Sequence, residues 1–382
     1  MVKINTKRFS KNNLLHWIWR IMGLIVAVFI GGTLLIAGIL FMSSPGSSIP
    51  IFDLDGEILA GSISEKTFVN INGINQGMFI KSKNKDNPVL LYLHGGMPEY
   101  FLTPKYPSVL DDYFTVVWWE QRGSGISYNE NIPQETINLE QFISDTLEMT
   151  NYLRDRFGKE KIFLMGHSGG TFIGIQAAAR KPELYYAYIG MAQMTYQLES
   201  EKIAYEYMLQ VSSETGNKGL KNKLAANPVT IEDGVSKSYY AVRDVAMHQL
   251  GIGTTHRMNS VITGILIPSL LNREYTFVEK INMWRGKSKS GVSSLWDEMM
   301  EIDLRHQIRK LEIPVYFLNG RYDYTVSSTM AAAYFETLQA PVKGFYWFDQ
   351  SAHSPLFEEP DKVRSIFQED ILLLKNNLAD IK

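Results

Sequence analysis

The chain has 382 residues, of which 45% are hydrophobic and 20% are charged, and its formal net charge at pH 7 is −2. This balance is typical of a globular protein and excludes a disordered chain. No long basic run lies beyond the N-terminal region, so nucleic acid is not an expected partner. The sequence has no cysteine, which excludes disulfides, thiolate metal ligands and a cysteine nucleophile.

The first predicted element is an apolar segment near the N-terminus. Residues 21–42 carry no charge, and at about 1.5 Å per residue they are long enough to cross a hydrocarbon core of about 30 Å. Lysines and arginines precede it, whereas the first charges after it are Asp53, Asp55 and Glu57. This asymmetry predicts a single-pass anchor in the cell membrane, with a cytoplasmic N-terminus and an extracellular domain. The alternative is a cleaved signal peptide, which has a shorter apolar region.

The pattern of apolar runs predicts how the rest of the chain is organised. An antiparallel hairpin is expected at 67–81, because the segment alternates loosely and contains Asn72-Gly73. Continuous apolar runs, which are typical of strands covered on both faces, lie at 89–93, 114–119, 161–165, 185–191, 314–318 and 344–348. Helical patterns lie at 139–157, 171–180, 328–338 and 360–377. Strands that alternate with helices predict an α/β fold with a mostly parallel sheet flanked by helices.

A long stretch in the second half of the chain breaks this alternation. Residues 194–309 lack strand-like runs and show helical periodicity at 201–211 and 239–250. We interpret the stretch as a helical cap over the carboxyl ends of the strands, where open α/β folds bind ligands. The predicted organisation is a basic arm at 1–20, a transmembrane helix at 21–42, a linker at 43–64, a core at 65–193 and 310–382, and a cap at 194–309.

The pentapeptide Gly166-His167-Ser168-Gly169-Gly170 lies between the strand at 161–165 and the helix at 171–180. A strand, a sharp turn and a helix with serine at the apex form a nucleophile elbow, and the tight turn requires small neighbours on both sides of the serine. The alternative is a plain Gly-rich turn. The context favours Ser168 as the nucleophile of an acyl-transfer reaction.

A serine nucleophile needs a base and an orienting carboxylate, which follow it in the chain in this kind of fold. Asp323 follows the strand at 314–318, and His353 follows the strand at 344–348. Both are expected in loops at the carboxyl ends of strands, where catalytic groups converge. Asp349 is the alternative carboxylate, but it is close in sequence to the ring that it would have to orient. We predict that Ser168, Asp323 and His353 form a catalytic triad.

Backbone N–H groups near the serine are the expected oxyanion donors. One belongs to Gly169, the residue after the nucleophile. The other is expected in the loop Leu93-His94-Gly95-Gly96-Met97-Pro98, where we assign it to Gly96, with Met97 as the alternative. The alternative for this loop is a Gly-Gly turn without a catalytic role. His94 is interpreted as an anchor of the loop and not as a base.

Together, the loop at 94–98, the segment Trp119-Glu120-Gln121-Arg122-Gly123-Ser124-Gly125, the elbow, Asp323 and His353 resemble the prolyl iminopeptidase branch of the α/β-hydrolases. The resemblance covers roughly residues 65–375. It implies an α/β-hydrolase fold with a helical cap and a serine hydrolase that releases an N-terminal residue, often proline, from peptides. It also implies that no metal or organic cofactor is needed.

The chain departs from this family at several positions. Met97-Pro98 replaces Pro-Gly in the oxyanion loop, Gly169 stands where the family has tryptophan, and Glu120 stands where it has aspartate. The Trp-rich acidic motif with which the family's cap holds the substrate's amino group has no match. The candidate substitutes in the cap are Glu206, Glu232 and Asp244.

We therefore predict a membrane-anchored serine hydrolase with an aminopeptidase- or iminopeptidase-like action on peptides. One alternative is an esterase or amidase that acts on small lipophilic acyl substrates, since the cap is rich in methionine and tyrosine. The other is a hydrolase-like domain that binds a ligand without turning it over. A histidine base has to be neutral, so activity is expected to fall below about pH 6–7.

Overall fold

The computed structural model describes residues 11–382, so the first half of the predicted basic arm lies outside the described residues. Helix α1 spans Lys11–Met42, so about its first third precedes the transmembrane segment predicted at 21–42. Its part Leu15–Met42 is long and apolar enough to cross a membrane and is not buried against the rest of the protein. The structure thus contains one apolar N-terminal helix that projects from the folded part of the chain.

Within the described residues, eight strands form one sheet in the order β1-β2-β4-β3-β5-β6-β7-β8. The strands are β1 Ile63–Ile71, β2 Ile74–Ser82, β3 Val89–Leu93, β4 Thr115–Glu120, β5 Ile162–His167, β6 Tyr185–Met191, β7 Val315–Gly320 and β8 Lys343–Phe348. The β1–β2 and β2–β4 pairs are antiparallel, and the other pairs are parallel. The predicted mostly parallel sheet is confirmed.

Helices flank the sheet and also form the insertion between β6 and β7. Around the sheet lie α2 Leu139–Phe157, α3 Gly169–Arg180, α11 Ser328–Thr337, α12 Pro355–Glu358 and α13 Pro360–Ile366. The insertion contains α4 Gln197–Glu214, α5 Lys218–Ala225, α6 Lys237–Gln249, α7 Ile267–Leu271, α8 Phe277–Lys289, α9 Trp296–Glu301 and α10 Leu304–Gln307. A π-helical turn, Ile262–Leu266, leads directly into α7.

Local sequence explains where the first core elements begin and end. In the hairpin, Asn72 and Gly73 both have positive φ angles (46° and 81°), which a tight β1–β2 turn requires. In α2, the side chain of Asn138 accepts a hydrogen bond from the N–H of Gln141 and caps the first turn. The helix ends at Gly158, whose φ of 60° is the left-handed conformation that glycine adopts without strain.

The prediction of one helix over 360–377 is wrong at its end. Helix α13 continues into a π-helical turn, Phe367–Ile371, and then stops. The cause is the buried Asp370, whose carboxylate accepts the N–H groups of Asn377 and Leu378 at 2.7 and 2.8 Å and the hydroxyl of Tyr346 at 2.9 Å. These bonds turn the chain back toward the sheet.

The hydrophobic core lies on both faces of the sheet, with a separate cluster in the insertion. Two clusters of buried side chains cover the two faces of the strands. A third cluster joins α4, α5 and α6 through residues such as Met208, Leu224 and Tyr239. The insertion is therefore a cap with its own small core, packed over the loops that follow the strands.

Candidate active site

The structure places Ser168 at the sharp turn between β5 and α3. Its φ and ψ angles of 53° and −124° are strained for a residue with a side chain, as a nucleophile elbow requires. The neighbours have no room for side chains: a Cβ on Gly166 would lie 2.6 Å from the carbonyl oxygen of Gly170, and one on Gly170 would lie 2.1 Å from that of Leu93. The N–H of Ser168 donates to the carbonyl of Met191 at 3.0 Å. The predicted strand, turn and helix are thus present.

Asp323 and His353 meet in the loops after β7 and β8. The Nδ1 atom of His353 lies 2.9 Å from Oδ2 of Asp323, and both side chains are buried. The second carboxylate oxygen of Asp323 accepts the N–H of Val326 at 3.0 Å, which holds the carboxylate in place. The alternative carboxylate, Asp349, is exposed and lies 2.9 Å from the Nε atom of Arg321. The geometry therefore favours Asp323 as the partner of the histidine.

Ser168 and His353 line one cavity of about 520 Å³ between the elbow and the cap. This volume falls within the range of small-molecule sites. Apolar side chains dominate the walls, among them Met97, Phe101, Met194, Met247, Val261, Ile265, Val292, Trp296 and Met299. The cavity thus joins the predicted nucleophile and base to a mostly apolar chamber.

The loop after β3 approaches Ser168 at Gly95, the first of two adjacent glycines. Gly96 and Gly169, the predicted oxyanion donors, both line the cavity, as does the alternative, Met97. Gly95, to which the sequence analysis gave no role, is the closer neighbour: a Cβ on it would lie 2.8 Å from Cβ of Ser168. The Gly-Gly pair was the signal for this close approach, since only glycine lets the two backbones come so near.

His94 anchors this loop, as the sequence analysis predicts. Its Nδ1 lies 2.7 Å from the carbonyl oxygen of Gly95, and its Nε2 accepts the N–H of Gln121 at 3.2 Å. The side-chain amide of Gln121 donates to the carbonyl of His94 at 2.9 Å. Burial lowers the pKa of His94 to about 4, so the ring is neutral at physiological pH.

Sequence reasoning missed a buried pair beside the nucleophile. The Nδ1 of His167 contacts the carboxylate of Glu99, and its Nε2 donates to the backbone carbonyl of His353 at 2.7 Å. Burial opposes the charge on each group, but the attraction and hydrogen bond between them outweigh it, so the pKa of His167 is raised and that of Glu99 is lowered. The pair is therefore charged and holds the loop of the predicted base through its backbone. The only sign of this pair in the sequence is an acid, Glu99, directly after the loop at 94–98.

A second carboxylate, Glu358, holds the backbone of the same loop. Glu358 accepts the backbone N–H groups of Ala352 at 2.9 Å and of Ser354 at 3.3 Å, the two neighbours of His353. Burial raises the pKa of Glu358 to about 7, against the opposing effect of these hydrogen bonds. The backbone of the loop that carries His353 is thus held by both His167 and Glu358.

Of the acids in the cap that were predicted to bind the substrate, the structure places only some at the cavity. Glu206 and Glu232 are exposed and do not line the cavity, and Glu206 pairs with Lys202 at 2.7 Å. Their assignment as substrate ligands stays a prediction that the geometry does not support, because both side chains face solvent. Asp244 does line the cavity, at its rim, and lies 2.9 Å from Arg243. Among the described residues, the carboxylates that face the cavity are therefore Glu99 and Asp244.

Among residues 11–382, no group of three or more histidine, aspartate or glutamate side chains is arranged to hold a metal ion. The polar groups around Ser168 bind one another or backbone groups. A serine hydroxyl and a histidine ring that face the same cavity can support nucleophilic attack when the histidine accepts the hydroxyl proton.

The strand order, the elbow and the cap define the fold class of the protein: the chain has the α/β-hydrolase fold. Residues 108–261 match the family model described as serine aminopeptidase, S33. The chain is also similar to the probable aminopeptidase YbaC of Bacillus subtilis (strain 168), with 29% identity over 303 residues that cover 78% of this chain and 93% of that protein.

Solved structures show the same fold. Proline iminopeptidase of Mycobacterium smegmatis superposes with a TM-score of 0.58 and 15% identity, over 79% of this chain and 96% of that one. The proline iminopeptidase-related protein of Thermus thermophilus gives a TM-score of 0.54 and 16% identity, over 80% and 96% of the two chains. At these identities the likeness establishes the fold alone.

Proposed function

We propose that this α/β-hydrolase is a membrane-anchored serine hydrolase that removes N-terminal residues from peptides. The observation that carries the proposal is the convergence of Ser168 and His353 on one cavity, with Asp323 hydrogen-bonded to the histidine. The peptide substrate rests on the similarity to aminopeptidases. A prolyl preference rests on the resemblance to the iminopeptidase branch.

In the proposed mechanism, His353 takes the proton of the Ser168 hydroxyl as that oxygen attacks the carbonyl carbon of the substrate. Asp323 orients the ring and stabilises the imidazolium that forms. The backbone N–H groups of Gly169 and of Gly96 or Met97 stabilise the oxyanion. His353 then gives the proton to the leaving amine, and water hydrolyses the acyl-enzyme with the same histidine as base.

A free α-amino group in the substrate needs an anionic partner near the reacting carbon. Glu99 and Asp244 are the carboxylates that line the cavity. Of the cap acids predicted to bind the substrate, Asp244 is the one that lies there. Glu99 already faces His167, whereas the side chain of Asp244 is 71% exposed at the rim. We assign the amino group to Asp244, because His167 neutralises Glu99. The Arg243 beside Asp244, in contrast, is already paired with the buried Glu201 at 2.5 Å.

The test is a panel of chromogenic substrates assayed with the full-length protein in detergent or vesicles. Alanyl, leucyl and prolyl anilides are compared with N-acetylated anilides and with short acyl esters, and Ser168→Ala serves as the control. The proposal predicts cleavage of the free-amino anilides, loss of cleavage on N-acetylation and no activity in the control. Equal rates with and without the acetyl group would contradict the aminopeptidase assignment.

The second candidate is an esterase or amidase that acts on lipophilic acyl substrates. The apolar walls of the cavity, which include Met194, Met247 and Met299, favour it. In the same panel it predicts faster turnover of acyl esters than of any aminoacyl anilide. Both candidates use the same proposed triad, so the comparison separates the substrates and not the mechanism.

We also propose that α1 is an uncleaved anchor, with the N-terminus in the cytoplasm and the hydrolase domain outside. The length and apolar character of Leu15–Met42 support a membrane-spanning role. The basic residues before it and the acidic residues after it support this orientation.

A further inference from the structure

The end of helix α1 is attached directly to the cap. Two residues after Met42, the hydroxyl of Ser44 accepts a hydrogen bond from Nζ of Lys280 at 2.7 Å. The N–H of Gly46 donates to the carbonyl of Arg273 at 3.0 Å, and Pro45 forms an isolated β-bridge with Thr276. The start of α8 is therefore held beside the end of α1 by main-chain and side-chain bonds, and not by a flexible linker.

These attachments fix where a membrane would lie relative to the cap. From Arg20 to Met42 the helix rises about 33 Å at 1.5 Å per residue, close to the thickness of a hydrocarbon core. If α1 spans the bilayer, Met42 lies at its outer boundary and Ser44 lies in the headgroup region. The start of α8 then lies at the same level, because Lys280 is bound to Ser44.

The surface of the cap around this attachment is unusually apolar. The segment Ile262–Leu271 carries no charged residue, and it is followed by the first turns of α8. We call the exposed apolar side chains of these two elements and of the preceding residue, Val261, the α7–α8 surface; they are Val261 (44% exposed), Ile262 (57%), Ile267 (42%), Leu271 (60%), Val278 (61%) and Ile281 (41%). The two elements adjoin, since Nε1 of Trp284 in α8 donates to the hydroxyl of Ser269 in α7 at 3.3 Å, and exposed apolar side chains concentrated in this way mark an interaction site.

The charges that border the α7–α8 surface suit an anionic lipid surface. Its two acids are occupied inside the protein: Glu274 binds Lys81 at 2.7 Å, and Glu279 binds Lys66 at 2.6 Å. The exposed charges that remain between residues 257 and 289 are basic, namely Arg257, Arg273, Arg285, Lys287 and Lys289. Exposed apolar side chains on a helix whose exposed charges are lysine and arginine are typical of a helix that lies in the membrane interface.

We propose that the α7–α8 surface is seated in the interface of the same membrane that α1 crosses. The proposal rests on the anchoring role proposed for α1. Val261, from the α7–α8 surface, and Ile265, on the apolar segment, also line the cavity that holds Ser168, so the mouth of the cavity borders the lipid. Substrates then reach Ser168 along the membrane surface, which favours peptides or acyl compounds that partition into the interface.

The absence of native cysteines allows single-cysteine labelling of the full-length chain. An environment-sensitive fluorophore is placed at Leu271→Cys or Val278→Cys, and the protein is reconstituted in vesicles of phosphatidylcholine and phosphatidylglycerol that contain a nitroxide-labelled lipid. Two reference sites are labelled in the same way. Phe29→Cys, in the middle of α1, reports the anchor, and Tyr186→Cys, at the amino end of β6, reports the end of the sheet away from the cap.

The proposal predicts that the labels at 271 and 278 are quenched severalfold more strongly than the label at 186, with the label at 29 quenched as well. Quenching at 29 with no more quenching at 271 and 278 than at 186 would overturn the docking of the cap and leave the anchor in place. Absence of quenching at 29 would overturn the anchor, and the proposed seating of the cap with it.

Discussion

Gly95 lies so close to Ser168 that one methyl group would disturb the proposed nucleophile. A Cβ at this position would lie 3.2 Å from Oγ of Ser168 and 2.8 Å from its Cβ, so one of the two backbones has to move. We expect Gly95→Ala to lower kcat/KM by about 100-fold, because a displacement of about 1 Å at a reacting group costs roughly that much.

The matched control for this prediction is Gly219→Ala, in α5 of the cap. There the nearest atom to an added Cβ is 3.7 Å away, an ordinary van der Waals contact. Steady-state kinetics on the best substrate of the panel should leave this control at the rate of the wild type. A Gly95→Ala enzyme with wild-type kcat/KM would show that the loop does not approach Ser168 as described.

The pair of His167 and Glu99 predicts a pH-dependent contribution to stability. The folded protein raises the pKa of His167, so this contribution is complete below the unfolded value of about 6.5 and is lost as the pH rises through the folded pKa. The folded protein lowers the pKa of Glu99, so its contribution is present above the unfolded value of about 4.5 and is lost at lower pH. The pair therefore stabilises the fold most between these two values.

We expect Glu99→Gln to lower the free energy of unfolding by about 1–3 kcal/mol near pH 5.5, the typical cost of weakening a buried hydrogen bond to a charged group. The difference from wild type should shrink toward alkaline pH. Urea unfolding over a pH series measures it, with the exposed Glu206→Gln as a control that should stay within about 0.5 kcal/mol. A difference that does not change with pH would contradict a charged pair.

Among the secondary-structure elements, α3 and the cap meet at Gly169. A Cβ there would lie 3.0 Å from Cγ1 of Val292 and 3.1 Å from Cε of Met299. Cap side chains thus occupy the space beside Gly169, which gives a physical reason why tryptophan, the residue of the iminopeptidase-like family, is absent here. The cap of this chain sits closer to the elbow than a large side chain would permit.

We expect Gly169→Trp to destabilise the protein by about 1–3 kcal/mol, the usual cost of overpacking. Met299→Ala creates room at the same place, so the double variant should be more stable than the sum of the two single effects predicts. Urea unfolding of the four proteins in this cycle measures the coupling. Additive effects would show that the two positions do not touch.

Strands β3 to β8 and the elbow were predictable because each of these strands is a mostly apolar run that ends at glycine or a polar turn, and the β1–β2 hairpin was predictable from its alternation and Asn72-Gly73. Asp323 and His353 were predictable as well, since both follow such runs. The end of the last helix was not, because it depends on Asp370, whose partners are distant in sequence or beyond the helix. The role of Glu99 was hidden for the same reason: its partner, His167, lies 68 positions along the chain. Which of the cap acids reaches the cavity was not predictable, because sequence alone does not show which face of a cap helix or loop meets the cavity.

For the whole molecule, we propose that the hydrolase domain lies outside the cell. We expect protease added to intact cells to cleave this domain, while a cytoplasmic marker protein stays intact. We also expect the full-length protein to remain in the membrane fraction after alkaline carbonate extraction, because α1 is proposed to span the bilayer. Complete protection from the protease until the cells are permeabilised would contradict the proposed orientation. Release by carbonate would contradict the proposal that α1 is a membrane anchor.

The central claim is that Ser168 is a nucleophile activated by His353 and Asp323. A fluorophosphonate probe that reacts with activated serines tests it directly on the full-length protein, with the modified peptide identified by mass spectrometry. The account predicts labelling of the wild type at Ser168, no labelling of Ser168→Ala, and labelling of His353→Ala slowed by at least about 100-fold, the usual effect of a lost general base. An unlabelled wild type, or equal labelling of Ser168→Ala, would contradict it.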